Sequence, residues 1–331
     1  MKIIKILIFL VVVLLSFNVA YSQNKNETNF IRVLLGENRP NSNSLERIKK
    51  VSAKAIVSGA AYQGEIELWK GDEGYFLINV VSLEEYVKGV VASEVGINWP
   101  IEALKAQAVL ARTYAVAHII RNRDKNFYDV TSSVFHQVYK GEVGNDEIER
   151  AVKDTQGEIL TYNKEPIMAF YHACSVGKTE EPKEVFGRDY PYLKAVEVPF
   201  TPSPYTVWGK KISLEILQKA LSMEKISKVE IVSHTNTGRV KEIKFLNGQN
   251  SKTIKATELR KLLKWSLLPS TMVTDIRFEE DGVVFEGHGY GHGVGMCQWC
   301  AFQMAQEGKN YREILQYFYS GTELSKINEN N

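Results

Sequence analysis

An α+β fold is predicted for this chain: mixed, short-stranded sheets with packed helices that form a groove, arranged in two lobes. Three observations lead there. Residues 30–81 hold short runs rich in β-branched and aromatic residues, the later ones separated by glycine-containing turns. Two helical patterns follow in succession, at about Leu83–Glu94 and Ile101–Ile120. Beyond Tyr205, strand-like and helical runs alternate around Thr237-Gly238, Asn247-Gly248 and Asp281-Gly282, dipeptides that favour tight turns. With 331 residues the chain is long enough for a sizeable core, as one large domain or two lobes.

Taken in order, Met1–Ser22 reads as a secretory signal peptide. It has Lys2 and Lys5, an apolar run from Ile6 to Leu15, and Ala20-Tyr21-Ser22 as a small-x-small cleavage pattern. That run is shorter than the ~20 residues a spanning helix needs. The mature protein is therefore expected to be exported to the periplasm or cell envelope. Residues 23–29 read as a flexible leader, and Glu37–Ser44 as a second polar stretch. Cleavage after Ser22 would remove two of 41 basic residues and none of the 39 acids. A mature chain of zero formal charge has no general electrostatic footprint for nucleic acid.

Strands are expected at Ile31–Leu35, Ala53–Val57, Glu65–Trp69 and Tyr75–Val81. Ser82 and Glu85 fit the Ser-x-x-Glu capping box, which places a helix start at Leu83, with Tyr86, Val87, Val90 and Val91 at inward spacing. Pro100 suits a first helical position, and Ala103, Ala106, Ala108, Ala111, Ala115 and Ala117 favour a helix that a neighbour can approach closely. Downstream, Tyr128–Tyr139 is expected to be extended and Asp146–Thr155 helical. A hairpin over Asn163-Lys164 is expected to join Glu158–Tyr162 to Ile167–His172. Residues 205–269, bracketed by Pro202, Pro204 and Pro269, read as an inserted lobe. It has a helix at Leu214–Met223 and another at Glu258–Trp265 capped by Thr257. A hairpin of Met272–Phe278 and Val283–Glu286, a helix at Met296–Glu307 and an amphipathic helix at Tyr311–Tyr319 complete the chain.

The chemistry centres on Glu94, which ends the first helix just before Gly96-Ile97-Asn98-Trp99-Pro100. A carboxylate there is disfavoured by the negative end of the helix dipole, so its pKa is expected to rise, as a general acid at neutral pH requires. From spacing alone, the competing reading is an ordinary exposed acid. The run V-A-S-E-V-G-I-N-W-P-I-E-A-L-K-A-Q-A-V-L-A-R-T-Y-A from Val91 to Ala115 resembles the signature of the stage II sporulation protein D/LytB family. Further similarity lies at Gln137–Gly141, Ser175–Thr179, Pro191–Lys194 and in G-H-G-Y-G-H-G-V-G-M-C-Q from Gly287 to Gln298.

The resemblance covers nearly all of the mature chain and implies one domain of this type over residues 30–325. It implies a murein lytic transglycosylase, cutting between N-acetylmuramic acid and N-acetylglucosamine to leave 1,6-anhydro ends. The alternative it implies is a non-catalytic, glycan-binding amidase enhancer whose partner is a cell-wall amidase. In the resemblance Glu94 occupies the catalytic acid position and Arg112 a basic position of the same site. Arg112, Tyr192 and Lys194 are expected either to hold sugar groups or tune Glu94, or to take buried hydrogen-bonding roles. Gln107, Gln137 and Gln298 are candidates for sugar hydrogen bonds. His288 and His292, on the glycine-rich loop, are expected either to floor the groove beside Glu94 or to stabilise the loop. A phosphate cradle on that loop is disfavoured because no Lys-Ser/Thr follows.

Three cysteines, Cys174, Cys297 and Cys300, are an odd number for an exported protein. A Cys297–Cys300 disulfide would leave Cys174 free, whereas three thiolates and an imidazole would make a closed tetrahedral zinc site. Some members of the family carry cysteine or histidine at the positions of His136, Cys174 and Cys297, while Cys300 stands where glycine is usual. The reading adopted is a structural zinc ion on His136, Cys174, Cys297 and Cys300, with His172 as substitute ligand. No cofactor is required for the glycan chemistry itself. A zinc hydrolase using His136 and His172 is the remaining rival. His118 and His234 are read as structural.

Overall fold

The computed structural model describes residues 27–36, 45–52, 54–95, 98–123, 125–134, 136–199 and 201–327. The expected signal peptide, the leader up to Lys25-Asn26 and the polar stretch 37–44 lie outside the described residues, and Glu27–Asn29 form a single 3-10 turn. The fold is α+β. Eight α-helices occur among the described residues: α1 (Leu83–Glu94), α2 (Ile101–Asn122), α3 (Asp146–Asp154), α4 (Pro182–Phe186), α5 (Leu214–Leu221), α6 (Ala256–Leu262), α7 (Gln298–Gln306) and α8 (Tyr311–Phe318). None of the described helices is long and apolar enough to cross a membrane. The chain divides into two compact units, one running to Met168 and resuming at Leu324, the other spanning Ala169–Glu323.

In the first unit a five-stranded sheet has the order Glu46–Ser52, Glu65–Gly71, Gly74–Ser82, Phe30–Leu35, Val130–Thr131. All neighbours are antiparallel except the last pair. The strand Gly74–Ser82 runs directly into α1, whose start is fixed by the Ser82 side chain accepting the Glu85 N–H. Only half of the expected capping box forms, because the Glu85 carboxylate turns to Lys88 at 2.6 Å. Helix α1 buries Leu83, Tyr86, Val87, Val90 and Val91. They join Ile31, Val33 and Val81 of the sheet and Leu104, Ala108, Ala111 and Ala115 of α2 in one core. With alanine at so many positions, α2 is buried on most of its circumference. Pro100 sits one residue earlier than expected, as its N-cap.

Two expectations fail here for the same reason, that long-range partners override local pattern. Among the described residues of 128–139, only Val130–Thr131 form a strand, and Tyr139 packs into the core. The hairpin over Asn163-Lys164 forms, with both residues at positive φ, but its second strand is only Glu165–Pro166. Tyr171–His172 instead pair in parallel with Met296–Cys297 in the second unit.

The second unit holds two three-stranded sheets, ordered Val207–Ser213, Gly282–His288, Val273–Glu279 and Lys228–His234, Val240–Asn247, Asn250–Lys255. Leu217 and Leu221 of α5, Leu259 of α6, and Ile243, Phe245, Val283 and Phe285 of the strands share its core. Residues 205–269 thus draw on the same core as the hairpin that follows them. Helix α6 begins earlier than expected, at Ala256 with Lys255 rather than Thr257 as N-cap, because the preceding strand leads straight into it and Ala256 is drawn into the core.

Gly89 shows how closely α1 is packed. A Cβ added there would lie 2.5 Å from the Gly141 carbonyl oxygen and 2.6 Å from the Tyr139 ring. We expect Gly89→Ala to cost about 1–3 kcal/mol through overpacking, read as a lower urea midpoint at unchanged m-value.

Candidate functional site

Glu94 is the last residue of α1 and is partly exposed. Its Oε1 accepts the backbone N–H of Val138 at 2.7 Å. The segment that presents this N–H is held from below. Tyr86, fully buried, donates its hydroxyl to Oε1 of the buried Gln137 at 3.1 Å. The Tyr139 ring lies 5.0 Å from that of Tyr86, and its hydroxyl donates to Oδ1 of the buried Asn79 at 2.9 Å. Asn79 in turn donates to the carbonyls of Gln63 and Glu65. Burial above all, then the neighbouring Tyr114, Tyr139 and Glu94, raises the Tyr86 phenol well above its ordinary pKa, so it stays a donor. The structure thus brings Gln137 and Glu94 together.

Arg112 takes a buried, hydrogen-bonded place. It is fully buried, and its Nε and Nη2 grip the two carboxylate oxygens of Glu84 at 2.9 and 2.7 Å. Nη1 donates to the carbonyl of Glu158 and Nη2 also approaches that of Val152. Such a bidentate guanidinium is a joint between α1, α2 and α3, and its donors point into the unit in place of the expected sugar contact. Gln107 is likewise buried in α2.

His136 belongs to the first unit, where its Nδ1 lies 2.9 Å from the Thr131 hydroxyl and its ring 4.9 Å from that of His118. Cys174, Cys297 and Cys300 belong to the second. There Cys297 and Cys300 form a disulfide, and Cys174 is a buried free thiol that burial pushes above its usual pKa. Among the described residues no group of three or more His, Cys, Asp or Glu side chains is arranged to hold a metal ion. Two of the four expected zinc donors are joined to each other, and the set that remains does not fit the ion. His136 and His172, the residues of the zinc-hydrolase rival, likewise belong to no such group among the described residues.

The glycine-rich stretch of the second unit is a packed loop. A Cβ on Gly293, at φ +87°, would meet the Arg239 guanidinium at 2.8 Å, and one on Gly289 the Cys174 carbonyl at 2.6 Å. Beneath it, Ser175 Oγ lies 2.6 Å from His172 Nε2 and accepts from Arg239 Nη2 at 2.8 Å. His172 Nδ1 lies 3.2 Å from the Val294 carbonyl. A His172 that donates from Nδ1 and accepts the Ser175 proton at Nε2 satisfies every one of these contacts. His292 accepts the Val294 N–H at Nδ1, and His288 Nδ1 lies 2.9 Å from the Thr206 carbonyl. Both histidines thus bond to backbone groups of the loop or of the segment beside it. Tyr192 is buried beside Tyr190, Lys194 is exposed, and Gln298 is buried in the first turn of α7. Sequence reasoning missed Tyr86 and Arg239 as site-forming groups. Tyr86 was visible only as an inward-facing core residue, and nothing local marked Arg239.

The family described as Stage II sporulation protein matches residues 71–162, which include Glu94 and all of α1–α3. A family described as a domain of unknown function matches residues 208–295. The chain is 34% identical over 266 residues to the Stage II sporulation protein D of Bacillus subtilis, covering 74% of this chain and 75% of that protein. It is 36% identical over 281 residues to an uncharacterized protein of Brachyspira hyodysenteriae, covering 83% and 75%. The amidase enhancer of Bacillus subtilis is 29% identical over 292 residues, which span 72% of this chain and 40% of that protein.

Two expected outcomes follow from the second unit. Denaturation without reductant should expose one cysteine to alkylation and reduction should expose all three, as mass spectrometry of the carbamidomethylated chain will read. Burial, with Arg260 and Arg239 nearby, lowers His292 to about 3, and burial with His292 and Arg239 lowers His172 well below its usual value. Below pH ~6.5 the unfolded chain takes up protons that these folded sites refuse, so stability falls as pH drops from there toward ~3. Urea midpoints at pH 7 and pH 4.5 should show a smaller acid loss in His292→Gln than in the parent.

Proposed function

The chain belongs to the stage II sporulation protein D family, and from that premise we propose that it is a peptidoglycan lytic transglycosylase acting outside the cytoplasmic membrane. The observation that carries the reading is Glu94: a partly exposed carboxyl group at the end of α1 with one oxygen held by the Val138 backbone N–H. In its protonated form Glu94 donates to the glycosidic oxygen between N-acetylmuramic acid and N-acetylglucosamine. As carboxylate it then takes the proton of the muramic C6 hydroxyl, whose oxygen bonds to C1 and closes the 1,6-anhydro ring. The same residue gives a proton and recovers one, so the cycle closes without water and without the second carboxylate that hydrolysis uses.

The relative named amidase enhancer supports a second reading, a module that grips glycan for an amidase without cutting it. Mass spectrometry of glycan strands, with and without stem peptides, separates the two. The parent should produce anhydro-muramic ends, and Glu94→Gln should lower their rate by at least about 100-fold while leaving glycan binding within twofold. Equal binding by both proteins with no cleavage by either would leave the binding module.

A further inference from the structure

We propose that Tyr86 is a positioning residue for Glu94, acting through Gln137 and the Val138 N–H, so that α1 carries both the acid and the clamp that aims it. The inference rests on the transglycosylase reading for its catalytic consequence, but its geometry stands on α1 and the 136–139 segment alone.

A carboxyl group at a helix end is free to rotate about its side-chain bonds, and holding a reacting group within a fraction of an ångström needs a partner that does not itself move. The partner here is a backbone N–H 44 residues away in sequence, in a segment with no regular structure of its own. The N–H belongs to the peptide joining Gln137 to Val138, so whatever fixes Gln137 fixes the plane of that peptide. Gln137 is fully buried, and Tyr86 holds its side-chain oxygen at 3.1 Å. Tyr86 is fully buried too and lies on α1, eight residues before Glu94, in the middle of the core that welds this helix to α2 and the sheet. The bonds close a ring: α1 to Tyr86, to Gln137, to the Val138 N–H, to Glu94, and back to α1. On the next residue, Tyr139 packs its ring 5.0 Å from Tyr86 and reaches Asn79, which secures the far side of the same segment to the sheet. A tyrosine whose only task was to fill the core would be replaced by phenylalanine without consequence for Glu94. Here its hydroxyl is a bond from α1 to the residue whose peptide is presented to the acid, and a buried hydroxyl that reaches across 51 residues to a buried amide is retained at the cost of its own desolvation.

The test is Tyr86→Phe, which keeps the ring, beside Gln137→Met, which removes the acceptor from the other side. Two quantities are read in each: the amide proton shift and exchange rate of Val138 by 15N-resolved NMR, and kcat against KM on glycan strands. A bond from N–H to carboxylate holds the Val138 proton downfield. Both variants should move it upfield and speed its exchange, while the thermal midpoint confirms a folded chain. Both should lower kcat by about 10- to 100-fold with KM within twofold, and the double variant should be no worse than either single one. An unmoved Val138 amide in folded Tyr86→Phe would overturn the proposal, as would a change confined to KM. If the parent cuts no glycan yet both variants shift Val138, the transglycosylase reading fails and the positioning of Glu94 by Tyr86 stands.

Discussion

A buried guanidinium cannot be left unpaired, and much of the first unit follows from how Arg112 meets that constraint. Its desolvation would cost several kcal/mol were its donors not occupied. They are occupied by both oxygens of Glu84 in the first turn of α1, by the carbonyl of Val152 in α3 and by that of Glu158 in the following strand. One side chain therefore fixes the start of α1 against α2 and α3. The apolar stripe of α1 and the alanines of α2 do the rest, since small side chains let the helices close on the sheet. Glu94 is thereby set at the far end of a helix whose start is locked.

The same economy holds around the acid. The segment after Thr131 has little regular structure, yet buried hydroxyl and amide groups tie it down at Gln137 and Tyr139. A carboxyl group on a helix end, met by a backbone donor on an anchored segment, gains orientation without being withdrawn from solvent. This arrangement suits a reaction in which one carboxyl group first gives a proton and then recovers one.

In the second unit, polar burial serves a different purpose. Arg239, Ser175 and His172 form a hydrogen-bonded layer beneath a loop whose glycines lie against them at distances no side chain allows. Histidines kept neutral by burial support this layer at neutral pH. The adjoining Cys297–Cys300 disulfide staples the entry to α7, where Cys297 also accepts the Cys300 N–H.

The sequence by itself determined the helix pair, the turn residues and the place of Glu94 at the end of α1. Those depend on spacing of 3.6 residues, capping side chains and Gly or Asn at positive φ, all of which act over a few residues. The family resemblance carried by Val91–Ala115 was legible for the same reason: its motif is contiguous. Tertiary structure alone decided that Arg112 faces Glu84, that Tyr86 reaches Gln137, and that Val138 meets Glu94. These partners lie 28, 51 and 44 residues apart. It also decided that Val130–Thr131 pair with the first strand, that Tyr139 turns into the core, and that Cys297 joins Cys300. Local propensity has no term for a donor that arrives from a distant segment, and the cost of burying it unpaired is what selects the partner.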